Sequence, residues 1–357
     1  MRQGQATPDL ETGAGDIQVR PARADDEAAW ERFVGQCPQA TFFHRYGWRR
    51  VLEGALGHRT HYLIAQRRGT LVGVLPLAQV RSRLFGHSLS SLPFCVYGGA
   101  ACADEAARAP LHGAAAALAA HLQVDHLELR NRSPAEPDWP RQDLYVTFRK
   151  QLDPDIEANL AAIPRKQRAM VRKGMKAGLR SEVDGGVERF FPLYADNMRR
   201  HGTPALARGY FEALRREFGA ACEVLSVLDE KGEPVSSVLS FYFRDEVLPY
   251  YAGDHARARE LAANDFKYWE LMRRGCERGC RVFDYGRSKR GTGSFDFKKN
   301  WGFEAQPLHY EYRLLRAAQV PQHNPSNPKY RLFIAMWRRL PQPVADLLGP
   351  RIVRSLG

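Results

Sequence analysis

Hydrophobic and polar positions follow a recurring order along the chain. Ile17-Gln18-Val19-Arg20 alternates as a short strand, and Asp25 or Asp26 supplies a cap for a helix reaching about Gln36. A second helix is expected over 45–56, with Tyr46, Trp48, Val51, Leu52 and Leu56 as its apolar set. A β-hairpin follows: 61–66 runs up, Arg67-Arg68-Gly69 turns, and 70–80 returns. An Ala-rich helix over 104–122 and strands near 125–130 and 144–150 close the first half. The second half begins with helices near 164–177, 187–200 and 207–218. A hairpin (222–228 and 234–243 around Asp229-Glu230-Lys231-Gly232) precedes a strand at 247–252 and a long helix over 259–278. A buried strand over 281–285, a Gly-rich loop, a short helix over 294–300 and a last strand over 307–315 finish the pattern.

The halves read as copies of one unit. Leu63-Ile64-Ala65 to Leu75 and Ser226-Val227-Leu228 to Leu239 both give strand, polar turn with glycine, strand. A length of 357 residues suits two domains. The expected division is a disordered leader over 1–16, a domain over 17–150, a second over 151–316, and a linker with an amphipathic helical tail over 317–357. The fold class is α+β.

Charge narrows the partners. The 53 lysines and arginines against 40 aspartates and glutamates leave a formal +13, which favours anionic ligands such as phosphate carriers, RNA or an acidic membrane surface. No apolar run approaches the ~18–20 residues of a membrane span. The N-terminus has no basic segment followed by an apolar one, so a secretory signal is not expected. Six scattered cysteines form no C-x-x-C pair, so neither a zinc site nor a disulfide framework is expected, and a cytoplasmic setting is. His58 and His61 have no third ligand nearby, so no metal is expected.

Chemistry concentrates in Arg281 to Phe303, RVFDYGRSKRGTGSFDFKKNWGF. The strand delivers Asp284 to its C-terminal end, where ligands gather in open α/β sheets. Arg287, Ser288, Lys289, Arg290, Gly291 and Gly293 form a basic glycine loop ahead of a helix start, an arrangement suited to an anion. Lys298, beside Phe297, is a candidate for stabilising the oxyanion that develops when an amine attacks an ester or thioester. Asp284 is a candidate base or a group that orients Arg287. A second constellation is the helix after Pro164, where Arg165, Arg168, Arg172 and Lys176 share one face with no acid among them, a candidate phosphate clamp.

These motifs carry a resemblance. The order of helices and hairpins is similar to the GNAT acyltransferase unit, used twice, and Phe297 to Phe303 resembles its F-Y-x-x-x-G-F segment with lysine in the tyrosine place. Pro164-Arg165-Lys166-Gln167-Arg168 with Arg172-Lys173-Gly174, Tyr251-Ala252-Gly253, Phe283 to Ser288, and Phe297-Lys298 resemble the FemAB-like peptidyl/aminoacyl transferase (BioF2-like acetyltransferase) superfamily. Phe42 to Trp48 resembles its opening aromatic motif, and the closest likeness is to members associated with the exosortase/PEP-CTERM system.

The resemblance spans about residues 17–315. It implies tandem GNAT-like domains with a cleft at their junction, an amide-forming transfer to an amine of an envelope or exopolysaccharide precursor, and Phe297 with Lys298 as the pair that acts in transfer. Tyr251 and Trp48 join the expected substrate contacts. No cofactor is expected to be tightly bound, and the acyl donor is a co-substrate, either aminoacyl-tRNA or acyl-coenzyme A. The chain lacks the long coiled-coil insertion of some members, and its loop departs from R/Q-x-x-G-x-G/A, with Ser288 where the basic residue would stand. The remaining readings are acyl-coenzyme A-dependent N-acylation of an amino sugar or amino acid, and a non-catalytic RNA- or envelope-binding protein on a degenerate transferase fold. In the tail, Leu332, Phe333, Met336, Trp337 and Leu340 fall on one side with Arg331, Arg338 and Arg339 nearby, which suits either packing on the body or a peripheral membrane contact.

Overall fold

The computed structural model describes residues 12–14, 16–82, 86–321 and 328–355. The expected leader at 1–11 and 15, and most of the linker, lie outside these. Thr12–Ala14, expected within the leader, instead pairs as a strand with Ile17–Pro21. The chain forms two units. Of the described residues, one holds those up to 143, 308–321 and Ser355, the other 144–307 and 328–354.

The first unit has two sheets. Thr12–Ala14, Ile17–Pro21, Leu63–Arg67, Thr70–Leu75 and Ala101–Cys102 line up in that order. Arg141–Gln142, His309–Leu314, His126–Asn131, Gly86–Ser90, Ala78–Ser82 and Arg59–Thr60 form the other. The expected return strand over 70–80 is therefore two strands in two sheets. Pro76 stands between them and has no N–H to continue a ladder. Helix Arg108–His121 packs Leu111, Ala115 and Leu118 against Val19, Leu63, Leu89 and Leu127. Helix Trp48–Leu56 starts three residues later than expected, after a single helical turn at Phe42–His44.

The second unit has one mixed sheet. Its order is Arg180–Asp184, Cys222–Leu228, Pro234–Phe243, Glu246–Asp254, Val282–Asp284, Tyr145–Gln151 and Ser288–Lys289, with Ala305–Pro307 also on Tyr145–Gln151. The expected hairpin is present, and every residue of Cys222–Leu228 is buried, as a central strand covered on both faces requires. Helices Arg165–Lys176, Phe190–His201, Arg208–Phe218, Ala263–Glu277 and Gly293–Asn300 fall where the apolar periodicity sets them, while Ile156–Ala162 is an additional short helix.

Two strands pair away from their own half. Tyr145–Gln151, expected to close the first half, pairs with Val282–Asp284 in the second unit. His309–Leu314, expected to finish the second half, pairs with His126–Asn131 in the first. Local alternation fixes that a segment is a strand, not which distant edge it joins. Helices Pro328–Arg338 and Gln342–Val353 belong to the second unit, with Trp337 and Ala345 buried. No helix among the described residues is long and apolar enough to cross a membrane.

Candidate active site

The site is built on the parallel pair of the second unit. Glu246–Asp254 and Val282–Asp284 pair at Glu246 with Val282 and Val247 with Phe283. Beyond that the strands part company. Glu246–Asp254 continues along Pro234–Phe243 through a bulge at Leu239/Ser240, while Val282–Asp284 stays paired with Arg149–Gln151 on its other side and ends at Asp284. A gap at the C-terminal ends of parallel strands exposes backbone groups and is where open α/β sheets take ligands.

Three groups fasten its rim. Asp254, the last residue of its strand, accepts a hydrogen bond from Lys267 Nζ at 2.8 Å and another from Ser236 Oγ. Lys267 is wholly buried and Asp254 partly exposed, so the pair ties the strand end to helix Ala263–Glu277 with its cation out of water. That helix begins after Ala262, whose φ of 55° is a left-handed conformation costly for a residue with a side chain. Within its first turn Asp265 accepts from Trp301 Nε1 at 2.9 Å, and burial raises its carboxyl above the usual range. In the loop before the helix, Arg257 pairs with Asp229 at 2.5 Å, while Arg259 is exposed.

Asp284 is fully buried. Its carboxylate pairs with Arg149 at 2.5 Å, and Arg149 also pairs with Glu246. Asp284 Oδ1 accepts from the backbone N–H of Gly286 at 2.8 Å, closing a turn in which Gly286 has φ 64°. The carboxylate thus acts on the turn and on Arg149. Arg287 lies with its guanidinium 4.5 Å from the Tyr145 ring centre, and Lys289 Nζ is 5.8 Å from the same ring. Ser288 pairs with Val146 in the sheet, and its Oγ bonds Ser294 Oγ at 3.0 Å.

Lys298 is buried in helix Gly293–Asn300. Nζ donates to the carbonyls of Tyr285 at 2.7 Å, Gly286 at 3.1 Å and Arg287 at 3.1 Å. An ammonium has three N–H donors, so the carbonyls use all of them. Burial lowers its pKa to about 7, with the Asp284 carboxylate opposing the shift and the Arg287 guanidinium adding to it. Phe297 packs on Tyr268 and Trp301, with ring centres 5.6 and 6.0 Å apart. Tyr285 OH, enclosed by this cluster, has no hydrogen-bond partner among the described residues.

The start of helix Gly293–Asn300, expected to face an anion, is capped by its own chain. Thr292 Oγ1 accepts from the Phe295 N–H, and Asp296 adds a negative charge in the first turn. Arg290 and Gly291 are exposed on the turn before it. In the basic helix, Arg165, Arg172, Lys173 and Lys176 are exposed, while Arg168 donates to the Ala161 carbonyl. This helix docks on Ala263–Glu277 through Gly174. A Cβ there would lie 2.8 Å from Phe266 Cβ, so only glycine permits the approach. Tyr251 bonds Tyr210 OH at 2.9 Å within a cluster of rings. Trp48 belongs to the first unit, fully buried against Phe42 and Phe43, so packing occupies it.

Sequence reasoning pointed to Asp254 at the end of its strand but missed Lys267, Arg149 and Asp265. One signal was available: Lys267 sits inside the apolar run Phe266 to Met272, where a charge needs a buried partner.

Residues 165–299 match the family described as "Acetyltransferase (GNAT) domain". No curated protein matches. Among solved structures, the chain is similar to FemX at TM-score 0.64 and 15% identity, over 86% of this chain and 98% of that one. It is similar to the C-terminal domain (DUF2156) of a putative lysylphosphatidylglycerol synthetase from Agrobacterium fabrum, at TM-score 0.57 and 14% identity over 81% and 92%. A tandem GNAT protein from the clavulanic acid biosynthesis pathway gives 0.55 and 14% over 86% and 100%. The match marks residues 165–299 as a GNAT-type acetyltransferase domain, and the solved structures agree with that fold. The chain carries two GNAT-like units and is FemAB-like in fold.

Proposed function

We propose that the protein joins an activated acyl or aminoacyl group to an amine of a cell-envelope or exopolysaccharide precursor. The observation that carries this reading is the parting of Glu246–Asp254 from Val282–Asp284 inside the unit that holds the acetyltransferase match. The amine nitrogen attacks the acyl carbonyl carbon. A C–N bond forms, the carrier C–O or C–S bond breaks, and the carrier leaves with the electron pair. The proton lost by nitrogen passes to the carrier, directly or through water, so no covalent enzyme intermediate is required.

In this reading the Tyr285–Arg287 turn borders the reacting carbonyl. Lys298 sets that turn and contributes positive potential to it, which suits a developing oxyanion. Phe297 walls its helix, and Asp284 fixes the turn through Gly286. Arg165, Arg168, Arg172, Arg287, Ser288, Arg290, Gly291 and Gly293 are the contacts proposed for the phosphates of the carrier, and Tyr251 for the substrate. Trp48 supports the packing of the first unit.

Two donors follow from two observations. The acetyltransferase match favours acyl-coenzyme A, with an amino sugar or amino acid as acceptor. The FemAB resemblance of residues 164–174 and 283–298 favours aminoacyl-tRNA. The test is transfer of labelled acyl groups from each donor to a panel of amine precursors, read by mass spectrometry as amide product, with thermal shift for donor binding. Amide product with one donor is expected. Salt-sensitive binding of RNA without product from either donor would replace the enzyme with a binding protein.

A further inference from the structure

Helices Pro328–Arg338 and Gln342–Val353 end the second unit. One side of the pair is committed to the body. Ile334 lies against Gly202, Trp337 and Ala345 are buried, and Gly349 faces the Ala205 backbone. The other side is apolar and uncovered. Phe333, Met336, Val344, Leu347 and Leu348 make up five of the seven large hydrophobic side chains exposed among the described residues, with Met336 at 63% and Leu347 at 61%.

Charge accompanies these side chains. Arg338 and Arg351 on these helices and Arg339 and Arg354 just after their ends are exposed, and among the described residues none is held in an ion pair. Asp346 is the one carboxylate between 328 and 355, and it accepts from Gln342 Nε2 at 2.7 Å.

We infer that this helix pair rests on the surface of a bilayer with anionic headgroups. The aliphatic side chains enter the interface, and the arginines reach outward to lipid phosphates along their apolar stems. Concentrated exposed apolar surface is unfavourable in water, and a polybasic setting selects a negatively charged lipid surface as its cover. A second copy of the same face would set arginine against arginine. Neither helix can cross the bilayer, so the contact is peripheral. The inference goes beyond the transferase reading and does not depend on it.

The test is sedimentation of the full-length protein with vesicles of phosphatidylcholine containing phosphatidylglycerol, and of phosphatidylcholine alone. Binding at least ~10-fold stronger to the anionic vesicles, and weakened by added salt, is expected. Met336→Glu combined with Leu347→Glu changes only exposed positions, so the melting temperature should hold while vesicle binding is lost. The inference is overturned if the wild type stays in the supernatant, or if the double variant sediments as the wild type does. It is equally overturned if light scattering finds a dimer that the double variant converts to monomer.

Discussion

Lys298 and Tyr285 are joined by a 2.7 Å hydrogen bond from a buried Nζ to a backbone carbonyl. The lysine thereby holds the end of a sheet strand to the helix thirteen residues on. All three of its N–H groups are spent on backbone carbonyls, so any effect on a reacting oxygen runs through the turn it holds and through its charge.

Lys298→Ala is expected to lower turnover by ~10²-fold, because the Tyr285–Arg287 turn at the reacting carbonyl loses its anchor and its positive potential. It should also destabilise the fold by about 1–3 kcal/mol, since three carbonyls lose their donor. Turnover and urea unfolding measured on one preparation check both. Wild-type turnover in a folded variant would remove Lys298 from the mechanism.

Stability should depend on pH through the same residue. The folded pKa is lowered to about 7 from an ordinary 10.5. Between those values the unfolded chain binds more protons, so the Lys298 contribution grows as pH rises from about 7 toward 10 and is lost as pH falls back. The unfolding free energy of the wild type minus that of Lys298→Met should therefore increase across that window. A flat difference contradicts the buried, shifted lysine.

Gly174→Ala should loosen the basic helix from Ala263–Glu277, because the new methyl lies 2.8 Å from Phe266 Cβ. Overpacking of this kind costs about 1–3 kcal/mol. Denaturant unfolding measures it, and an unchanged midpoint would mean that the helices do not meet there.

Lys267→Met leaves Asp254 without its cation at the rim of the strand gap. A loss of about 1–3 kcal/mol is expected, since the carboxylate left behind is partly exposed and keeps its Ser236 partner. The double variant with Asp254→Asn should recover part of that loss. Additive losses in the double-variant cycle would show that the two groups are not coupled.

A fragment covering residues 151–316 is expected to fail to unfold cooperatively. It lacks all but the last residue of Tyr145–Gln151, the strand that stands between Val282–Asp284 and Ser288–Lys289. A sharp calorimetric transition from that fragment would contradict the pairing.

The sequence alone carried the element order, the second hairpin and the long helix over 259–278, because apolar period and turn residues are local properties. It also singled out Asp284, Arg287, Phe297 and Lys298, since charge beside glycine and aromatic residues is visible in a string. Tertiary structure decided the rest. Which edge Tyr145–Gln151 and His309–Leu314 join depends on partners more than a hundred residues away. That Asp284 pairs with Arg149, and that the Lys298 ammonium meets three carbonyls, depends on side-chain direction and burial. The physical reason is that a charge in a sequence has no fixed surroundings until packing removes water and supplies its partner.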